Sequence, residues 1–157
     1  MMRKTFVSYS HALDQHAADD FRKVFADDRN VFIDKSQRED IGWQADSTIK
    51  EKLKKDIRDS SVTVVLIGSE TGGRPWIDWE IYYSLSVQEN NYRNGLLGIL
   101  IPHKQHWVPP RLRENEHMGK IIEWPKNYKT LSNAIEEVYQ KRDNDPNLSR
   151  RLKQRNS

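Results

Sequence analysis

The chain alternates short apolar runs with stretches of helical periodicity from its beginning to its end. This alternation is typical of a parallel sheet built from β-α-β units, because each parallel connection needs a crossover helix. We predict strands at residues 4–9, 30–34, 62–67, 95–101 and 121–124. With right-handed crossovers, we expect an α/β, flavodoxin-like three-layer sandwich, in which helices cover both faces of a five-stranded parallel sheet of order 2-1-3-4-5.

Apolar residues recur at helical spacing in the connections, so each predicted helix is expected to bury one face against the sheet. The four stripes are Ala17, Phe21, Val24 and Phe25; Ile49, Leu53 and Ile57; Ile77, Ile81 and Leu85; and Leu131, Ile135 and Val138. Residues 103–120 form an unusually long connection, which we expect to be mostly irregular.

The predicted strand order places a ligand crevice where the first and third strands leave the sheet. In open α/β sheets, ligands bind outside the carboxyl ends of the strands at the point where the order reverses. The residues that would line this crevice are Phe6, Ser8, Tyr9 and Ser10 from the first strand, and Ser69, Trp76 and Glu80 after the third. A nucleotide-sized ligand fits a crevice of this kind.

Glu80 is the candidate catalytic side chain of the crevice. At about 100° per residue, Trp76, Glu80 and Tyr83 share a stripe beside the helix face that packs on the sheet. A carboxylate next to aromatic walls is placed for desolvation and ligand contact. Two ordinary interpretations stay open at this point: Glu80 is a solvated helix-face residue, or the rings beside it belong to the core.

Common phosphate-binding and catalytic motifs are missing from this crevice. Residues 68–73 lack the Gly-Lys-Ser/Thr ending of a P-loop, and no Gly-x-Gly-x-x-Gly opens a helix. The strand ends lack the acidic residues of a phospho-accepting receiver. Ser69 directly follows Gly68, whereas the serine of a nucleophile elbow stands second after its glycine. Serine hydrolysis and receiver chemistry are therefore not expected.

A metal site is not expected either. His103, His106 and His117 lie with Glu114 in the long connection, where no predicted helix fixes their geometry. The chain has no cysteine, which excludes disulfides and thiolate metal ligands and suits a reducing cytosol.

Net charge and hydropathy further restrict the class of protein to which the chain can belong. The 26 Lys and Arg residues against 23 Asp and Glu residues give a net charge of +3, so the surface is mixed and a nucleic-acid role is not demanded. The beginning of the chain has no long apolar segment of the signal-peptide type, and no apolar run is long enough to span a bilayer. We expect a cytoplasmic protein that does not bind a membrane.

The length of 157 residues fits one domain. We expect that domain to occupy residues 1–142 and residues 143–157 to form a basic tail. Between Leu148 and Ser157 the tail carries four basic and no acidic residues. We predict a flexible, solvated terminus, because termini without apolar anchors are usually disordered. The alternative is an arm that binds anions.

Five segments, in this order along the chain, resemble the signature of TIR domains. They are Thr5-Phe-Val-Ser-Tyr-Ser10, Val31-Phe-Ile-Asp34, Ile41-Gly-Trp43, Ser61-Val-Thr-Val-Val-Leu-Ile-Gly-Ser69 and Trp76-Ile-Asp-Trp-Glu-Ile81. The set is most similar to the bacterial TIR-like subunit of the Thoeris anti-phage system. Trp-x-x-x-Glu followed by an aliphatic residue is its most specific part, whereas the stretch around Trp107 matches no motif of the family.

The resemblance implies roles for individual residues. It makes Glu80 the residue that serves NAD cleavage, and it places Phe6, Ser8, Tyr9 and Ser10 along the nucleotide site. The loop of residues 35–43, from Lys35 to Trp43, resembles the loop that TIR domains use for self-assembly and for gating the site.

The resemblance also implies an activity. NAD+ would be the substrate rather than a bound cofactor, nicotinamide would be released, and a cyclic ADP-ribose-type signal would activate a separate effector protein. Trp76 and Tyr83 would stack on the nicotinamide or the ribose. Because many TIR domains signal only by assembly, a non-catalytic protein-protein interaction module is the alternative.

Overall fold

The structure, a computed structural model, describes residues 3–25, 30–32, 46–87 and 92–154. Its strands are β1 (Thr5–Ser8), β2 (Asn30–Phe32), β3 (Val62–Ile67), β4 (Gly95–Leu100) and β5 (Gly119–Glu123). Its helices are α1 (Gln15–Phe25), α2 (Asp46–Arg58), α3 (Pro75–Leu85), α4 (Pro110–Arg113) and α5 (Tyr128–Gln140), with a 3₁₀ turn at Thr71–Gly73. None of the helices in these ranges is both long and apolar enough to cross a membrane.

The strands form a parallel sheet, which confirms the predicted α/β class. The strand order is β2-β1-β3-β4-β5, an arrangement consistent with a flavodoxin-like fold. Ser8 pairs in register with Val65, and Ile67 pairs with Leu100. The carboxyl end of β1 therefore lies two residues short of the end of β3, and the two strand ends open onto the same edge of the sheet.

Side chains alternate between the two faces of the sheet, and the strands carry apolar side chains on both. Helices therefore cover both faces. On one face α1 and α5 pack over a cluster that includes Val7, Val64, Leu97 and Ile99. On the other face α2 packs over Phe6, and α3 packs over Val65 and Ile67. The helices that carry the candidate site residues are those of the second face.

The predicted helix stripes are confirmed with one exception. Ile49, Leu53 and Ile57 are buried in α2, and Ile77, Ile81 and Leu85 in α3, as are the three residues predicted for α5. Val24 of α1 was predicted to face the core, but 65% of it is exposed. The prediction was wrong because the buried stripe also contains Ala18 and is centred between Ala18 and Phe21, which moves Val24 to the outer side.

Some element bounds differ from the predicted ones. β5 begins at Gly119, two residues before the predicted strand, and α4 interrupts the connection that was expected to be irregular. After the 3₁₀ turn at Thr71–Gly73, α3 begins at Pro75, a position that suits proline because the first helical N–H groups have no intrahelical partner. The loop of residues 35–43 and positions 33–34 of the predicted second strand lie outside the described residues.

The described part of the predicted tail, residues 143–154, packs against the domain, in contrast to the flexible terminus that we expected. Leu148 and Leu152 contact the apolar clusters under α3. The backbone N–H of Lys153 donates to Asp78 Oδ2 at 2.8 Å, and the Lys153 carbonyl accepts from Trp79 Nε1 at 2.8 Å. These two leucines are the apolar anchors that the sequence interpretation did not recognise among the basic residues.

Candidate active site

The candidate site is built where β1 ends beneath α3. Alternation along β1 directs Phe6 and Ser8 to the face that α2 and α3 cover. Ser8 Oγ donates a hydrogen bond to Glu80 Oε1 at 3.1 Å, and both residues are fully buried. Two residues separated by 72 positions in the chain thus meet at the carboxyl edge of the sheet, as the crevice hypothesis requires.

Packing and hydrogen bonding fix the position of Glu80 on α3. Ile77 and Ile81 lie in the apolar cluster against β3 and β4, which sets the rotation of the helix about its axis. Ser84 Oγ donates to the Glu80 carbonyl at 2.7 Å and lies 2.5 Å from Thr63 Oγ1 of β3. The helix turn that carries Glu80 is therefore held to the sheet by apolar contacts and by a buried hydroxyl pair.

Aromatic rings surround this part of α3. Phe6, Trp79 and Tyr83 belong to one buried cluster with the apolar stripe of α2, and the partly buried Trp76 packs against it. The Trp76 and Trp79 ring centroids lie 5.7 Å apart. Glu80 thus projects from a helix whose neighbouring residues are mostly rings, and its carboxylate is shielded from water. Shielding of this kind strengthens any electrostatic contact that the carboxylate makes.

Arg74 does not pair with Glu80. Its guanidinium instead bonds Glu70 Oε2 at 2.5 Å, on the loop before α3. A salt bridge from Arg74 or Lys35 to Glu80 would have favoured a purely structural role for the glutamate, and Lys35 lies outside the described residues. Ser8 is one described partner of the Glu80 carboxylate, and its hydroxyl is a neutral donor.

Residues 6–106 match the family model described as Thoeris protein ThsB, TIR-like domain. The match covers most of the chain, and it includes the Ser8–Glu80 pair. The chain belongs to this TIR-like domain family of Thoeris ThsB proteins. Membership gives it a role in Thoeris defence.

Tyr9 and Ser69 are the two candidate residues of the TIR-like domain that lie away from the Ser8–Glu80 pair. Tyr9 is buried in the cluster on the opposite face of the sheet, where its hydroxyl donates to Gln15 Oε1 at 3.2 Å. Ser69 is exposed after β3. Ser10 is buried at the beginning of the β1–α1 loop, where its carbonyl accepts hydrogen bonds from the Leu13 and Asp14 N–H groups. The structure therefore brings together Phe6, Ser8, Trp76 and Glu80, but not Tyr9.

Tyr83 lies at the border between the core and a surface groove. Burial raises the pKa of the Tyr83 phenol, and the charge of Lys54, whose Nζ lies 5.2 Å from the ring centroid, acts in the opposite direction. The groove between α2 and α3 has a volume of about 620 Å³, and its lining includes Lys54, Arg58, Tyr82 and Tyr83. Glu51 also lines the groove and pairs with Lys54 at 3.0 Å.

The sequence interpretation missed a buried ion pair next to Glu80. Asp78 of α3 accepts two hydrogen bonds from Arg111 of α4, at 2.9 and 3.3 Å, and Arg111 has no exposed surface. Arg111 also donates to the Arg150 and Arg151 carbonyls of the tail. No local pattern predicts a pair 33 residues apart, and the only signal was an arginine directly after two prolines in an otherwise polar connection.

Two of the three loop histidines, His106 and His117, have backbone partners. His106 Nε2 lies 2.7 Å from the Ile101 carbonyl, and His117 Nε2 lies 2.8 Å from the Asp145 carbonyl. Among the described residues, no group of three or more His, Cys, Asp or Glu side chains is placed to hold a metal ion.

Proposed function

We propose that this TIR-like domain cleaves NAD+ at the bond between nicotinamide and ribose, with Glu80 as the catalytic residue. The observation that supports the proposal is the buried Glu80 carboxylate, hydrogen-bonded to Ser8 at the carboxyl end of β1. Ligands of open α/β sheets bind at this edge. The family match over residues 6–106 includes both residues.

The proposed chemistry requires only one carboxylate. The scissile bond joins the ribose to a cationic ring, so nicotinamide leaves as a neutral molecule with the bonding electron pair, and no general acid has to protonate it. The remaining ribose develops positive charge, and an ionised Glu80 stabilises that charge and accepts hydrogen bonds from the ribose hydroxyls. The partly buried Trp76, one helical turn before Glu80, would cover the nicotinamide.

The product of the proposed reaction depends on what captures the ribose cation. If the rings exclude water, the adenine end of the same molecule captures it and a cyclic ADP-ribose isomer forms. Such a product would activate a separate effector protein in Thoeris defence. Self-association through the loop of residues 35–43 belongs to the same proposal, since that loop corresponds to the assembly loop of TIR domains.

The experiment measures nicotinamide release from NAD+ by the purified protein, with and without lysate from phage-infected cells. Glu80→Gln should lower the rate by at least about 100-fold, the loss typical when one preorganised electrostatic group is removed. The matched control is Glu116→Gln, because Glu116 is exposed and pairs with Arg113 at the surface. Unchanged release by Glu80→Gln, or none by the unaltered protein under either condition, would contradict the proposal.

A second candidate function is a non-catalytic interaction module. The observation that favours it is the complete burial of Glu80, since a buried, hydrogen-bonded glutamate also serves to hold α3 on β1. In that case Glu80→Gln changes the stability of the domain, and NAD+ remains intact in the presence of every variant. Association of the domain with a second TIR domain, followed by sedimentation, would then be the relevant readout.

A further inference from the structure

The β4–α4 loop lies across the carboxyl edge of the sheet beside the proposed catalytic site. Trp107 of this loop is 51% exposed, yet its backbone is held firmly, because the Trp107 N–H donates to the Gly68 carbonyl at 2.9 Å. Gly68 directly follows β3. The loop thus delivers an exposed indole ring to the end of the strand that precedes the Glu80 helix.

The Trp107 ring rests on two glycines. A Cβ atom at Gly72 would lie 2.1 Å from Trp107 Cδ1, and one at Gly73 would lie 2.9 Å from the far edge of the ring. A Cβ atom at either position would displace the ring, so glycine at both positions lets the indole lie directly on this backbone. The glycines support one side of the indole, and about half of the residue stays open to solvent.

A cation is anchored on the other side of Gly68. Lys104 Nζ bonds Asp14 Oδ1 at 2.5 Å and the Leu13 carbonyl at 3.0 Å. Asp14 is fully buried against Gly68, where an added Cβ would come within 2.6 Å of its carboxylate. One third of the Lys104 side chain remains exposed. Lys104 and Trp107 are three residues apart, so their Cα atoms lie within about 11 Å of each other.

Two buried polar atoms beside this cation lack a hydrogen-bond partner among the described residues. They are Asp14 Oδ2 and Ser10 Oγ. Such atoms are rare in folded proteins, because a buried polar group without a hydrogen-bond partner loses its contacts with water and gains nothing in return. The hydroxyl groups of a bound sugar are donors and acceptors that suit both atoms.

We propose that Trp107 and Lys104 form a subsite for the adenosine monophosphate half of NAD+. The adenine stacks on the open face of Trp107, the Lys104 ammonium contacts the phosphate, and Ser10 and Asp14 accept hydrogen bonds from the ribose. This inference rests on the proposed function, which assigns the nicotinamide half to Glu80 and Trp76. The adenine of the same NAD+ molecule then needs another aromatic ring to stack on, at the same edge of the sheet.

The first test uses AMP as a probe, because AMP has no nicotinamide bond to cleave. Calorimetric titration should show that the unaltered protein binds AMP and that Trp107→Ala weakens binding at least about fivefold, as expected for loss of base stacking. Trp107→Phe should restore most of the affinity. The matched control is Tyr128→Ala, since Tyr128 is an exposed aromatic residue at the beginning of α5.

Nicotinamide mononucleotide, which lacks the adenosine half, separates a binding role from a structural one. Trp107→Ala should leave its binding unchanged. In NAD+ turnover the same variant should raise KM and leave kcat nearly constant, because binding is lost equally from the ground state and the transition state. Equal weakening of both probes would show that Trp107 only supports the fold, and this outcome overturns the subsite.

Lys104→Met should weaken AMP binding more than adenosine binding, because adenosine has no phosphate. Lys104→Arg keeps the charge and the ion pair with Asp14, and it should bind AMP like the unaltered protein. If AMP does not bind at all, or binds Trp107→Ala normally, the subsite is overturned even where NAD+ is cleaved. If AMP binding depends on Trp107 but NAD+ stays intact, the subsite stands and the proposed cleavage fails.

Discussion

At the scale of single residues, the buried carboxylate of Glu80 is the group whose surroundings matter most. Burial of an ionised carboxylate is costly unless donors compensate, and Ser8 Oγ supplies one such hydrogen bond. This hydroxyl holds the carboxylate at the end of β1, the edge of the sheet at which ligands of open α/β sheets bind. Ser8 is therefore a positioning residue for Glu80.

Ser8→Ala tests that positioning. A hydrogen bond to a charged group contributes about 1.5–3 kcal/mol, so loss of the donor should lower the rate of NAD+ cleavage about 10- to 100-fold. The measurement is nicotinamide release at saturating NAD+, alongside a thermal melt of the variant. Ser149→Ala is the control, since Asn147 is the partner of the exposed Ser149 among the described residues. Full activity of Ser8→Ala would contradict the role.

Several of these residue positions could be predicted from the sequence, and others could not. Strand alternation and helical periodicity place Ser8 and Glu80 on facing sides of β1 and α3, because both rules are local. The same alternation places Tyr9 on the opposite face from Ser8, a consequence that the motif-based assignment overlooked. The contact of Trp107 with Gly72 depends on the path of a long connection, and no local rule describes such a path.

At the scale of elements, α3 is held on two sides. The sheet contacts its apolar stripe, while α4 and the tail contact Asp78 and Trp79. Helix α3 carries the proposed catalytic residue two positions after Asp78, so the buried ion pair and the tail also contribute to the placement of Glu80. Helical periodicity in the sequence predicted the contact between α3 and the sheet. It could not predict the Asp78–Arg111 ion pair, because these residues are 33 positions apart in the chain.

Asp78→Asn should destabilise the domain strongly. The Arg111 guanidinium is fully buried, and loss of its charged partner costs about 3–5 kcal/mol. The measurement is urea unfolding followed by circular dichroism. The matched control is Arg113→Ala in α4, the helix that also carries Arg111. Arg113 pairs with Glu116 at the surface, so its loss should lower the free energy of unfolding by less than about 1 kcal/mol. Similar losses for the two variants would contradict the prediction.

A surface ion pair connects Arg3, two residues before β1, to Glu136 of α5 and makes the stability of the domain depend on pH. The Arg3 guanidinium, followed by the Gln140 amide, lowers the pKa of Glu136 to about 2. Because the folded pKa lies below the unfolded value of about 4.3, the stabilisation is present above that value and is lost as pH falls toward 2.

Arg3→Ala should therefore lower the free energy of unfolding by less than about 1 kcal/mol at pH 7, because the Arg3 and Glu136 side chains are both more than a third exposed. The difference in free energy of unfolding between Arg3→Ala and the unaltered protein should become smaller as pH falls from about 4.5 to about 2. Urea unfolding at a series of pH values measures it. A difference that grows on acidification would contradict the assigned cause.

At the scale of the whole molecule, the family match and the folding unit do not have the same bounds. The match ends at residue 106, whereas β5 and α5 follow it. Leu131, Ile135 and Val138 of α5 lie in one cluster with Leu97 and Ile99 of β4. The last third of the chain therefore completes a core that the matched segment begins.

A fragment of residues 1–106 should fail to fold. It lacks the helix that covers one face of β4, and it leaves the long apolar edge of β4 unpaired, which favours aggregation. Circular dichroism and the dispersion of the amide NMR signals measure this. A fragment of residues 1–146 is the control, because it keeps β5 and α5 and should fold with reduced stability. Cooperative unfolding of the shorter fragment would contradict the prediction.

The docked tail has a practical consequence for anyone who joins another protein to this one. Residues 150–153 bond directly to α4 and to the helix of Glu80. A purification tag or fluorescent reporter attached shortly after Lys153 would begin beside that helix and could break the hydrogen bonds of Lys153 to Asp78 and Trp79. An attachment at the other end of the chain leaves these contacts untouched, so fusion proteins are better built from that side.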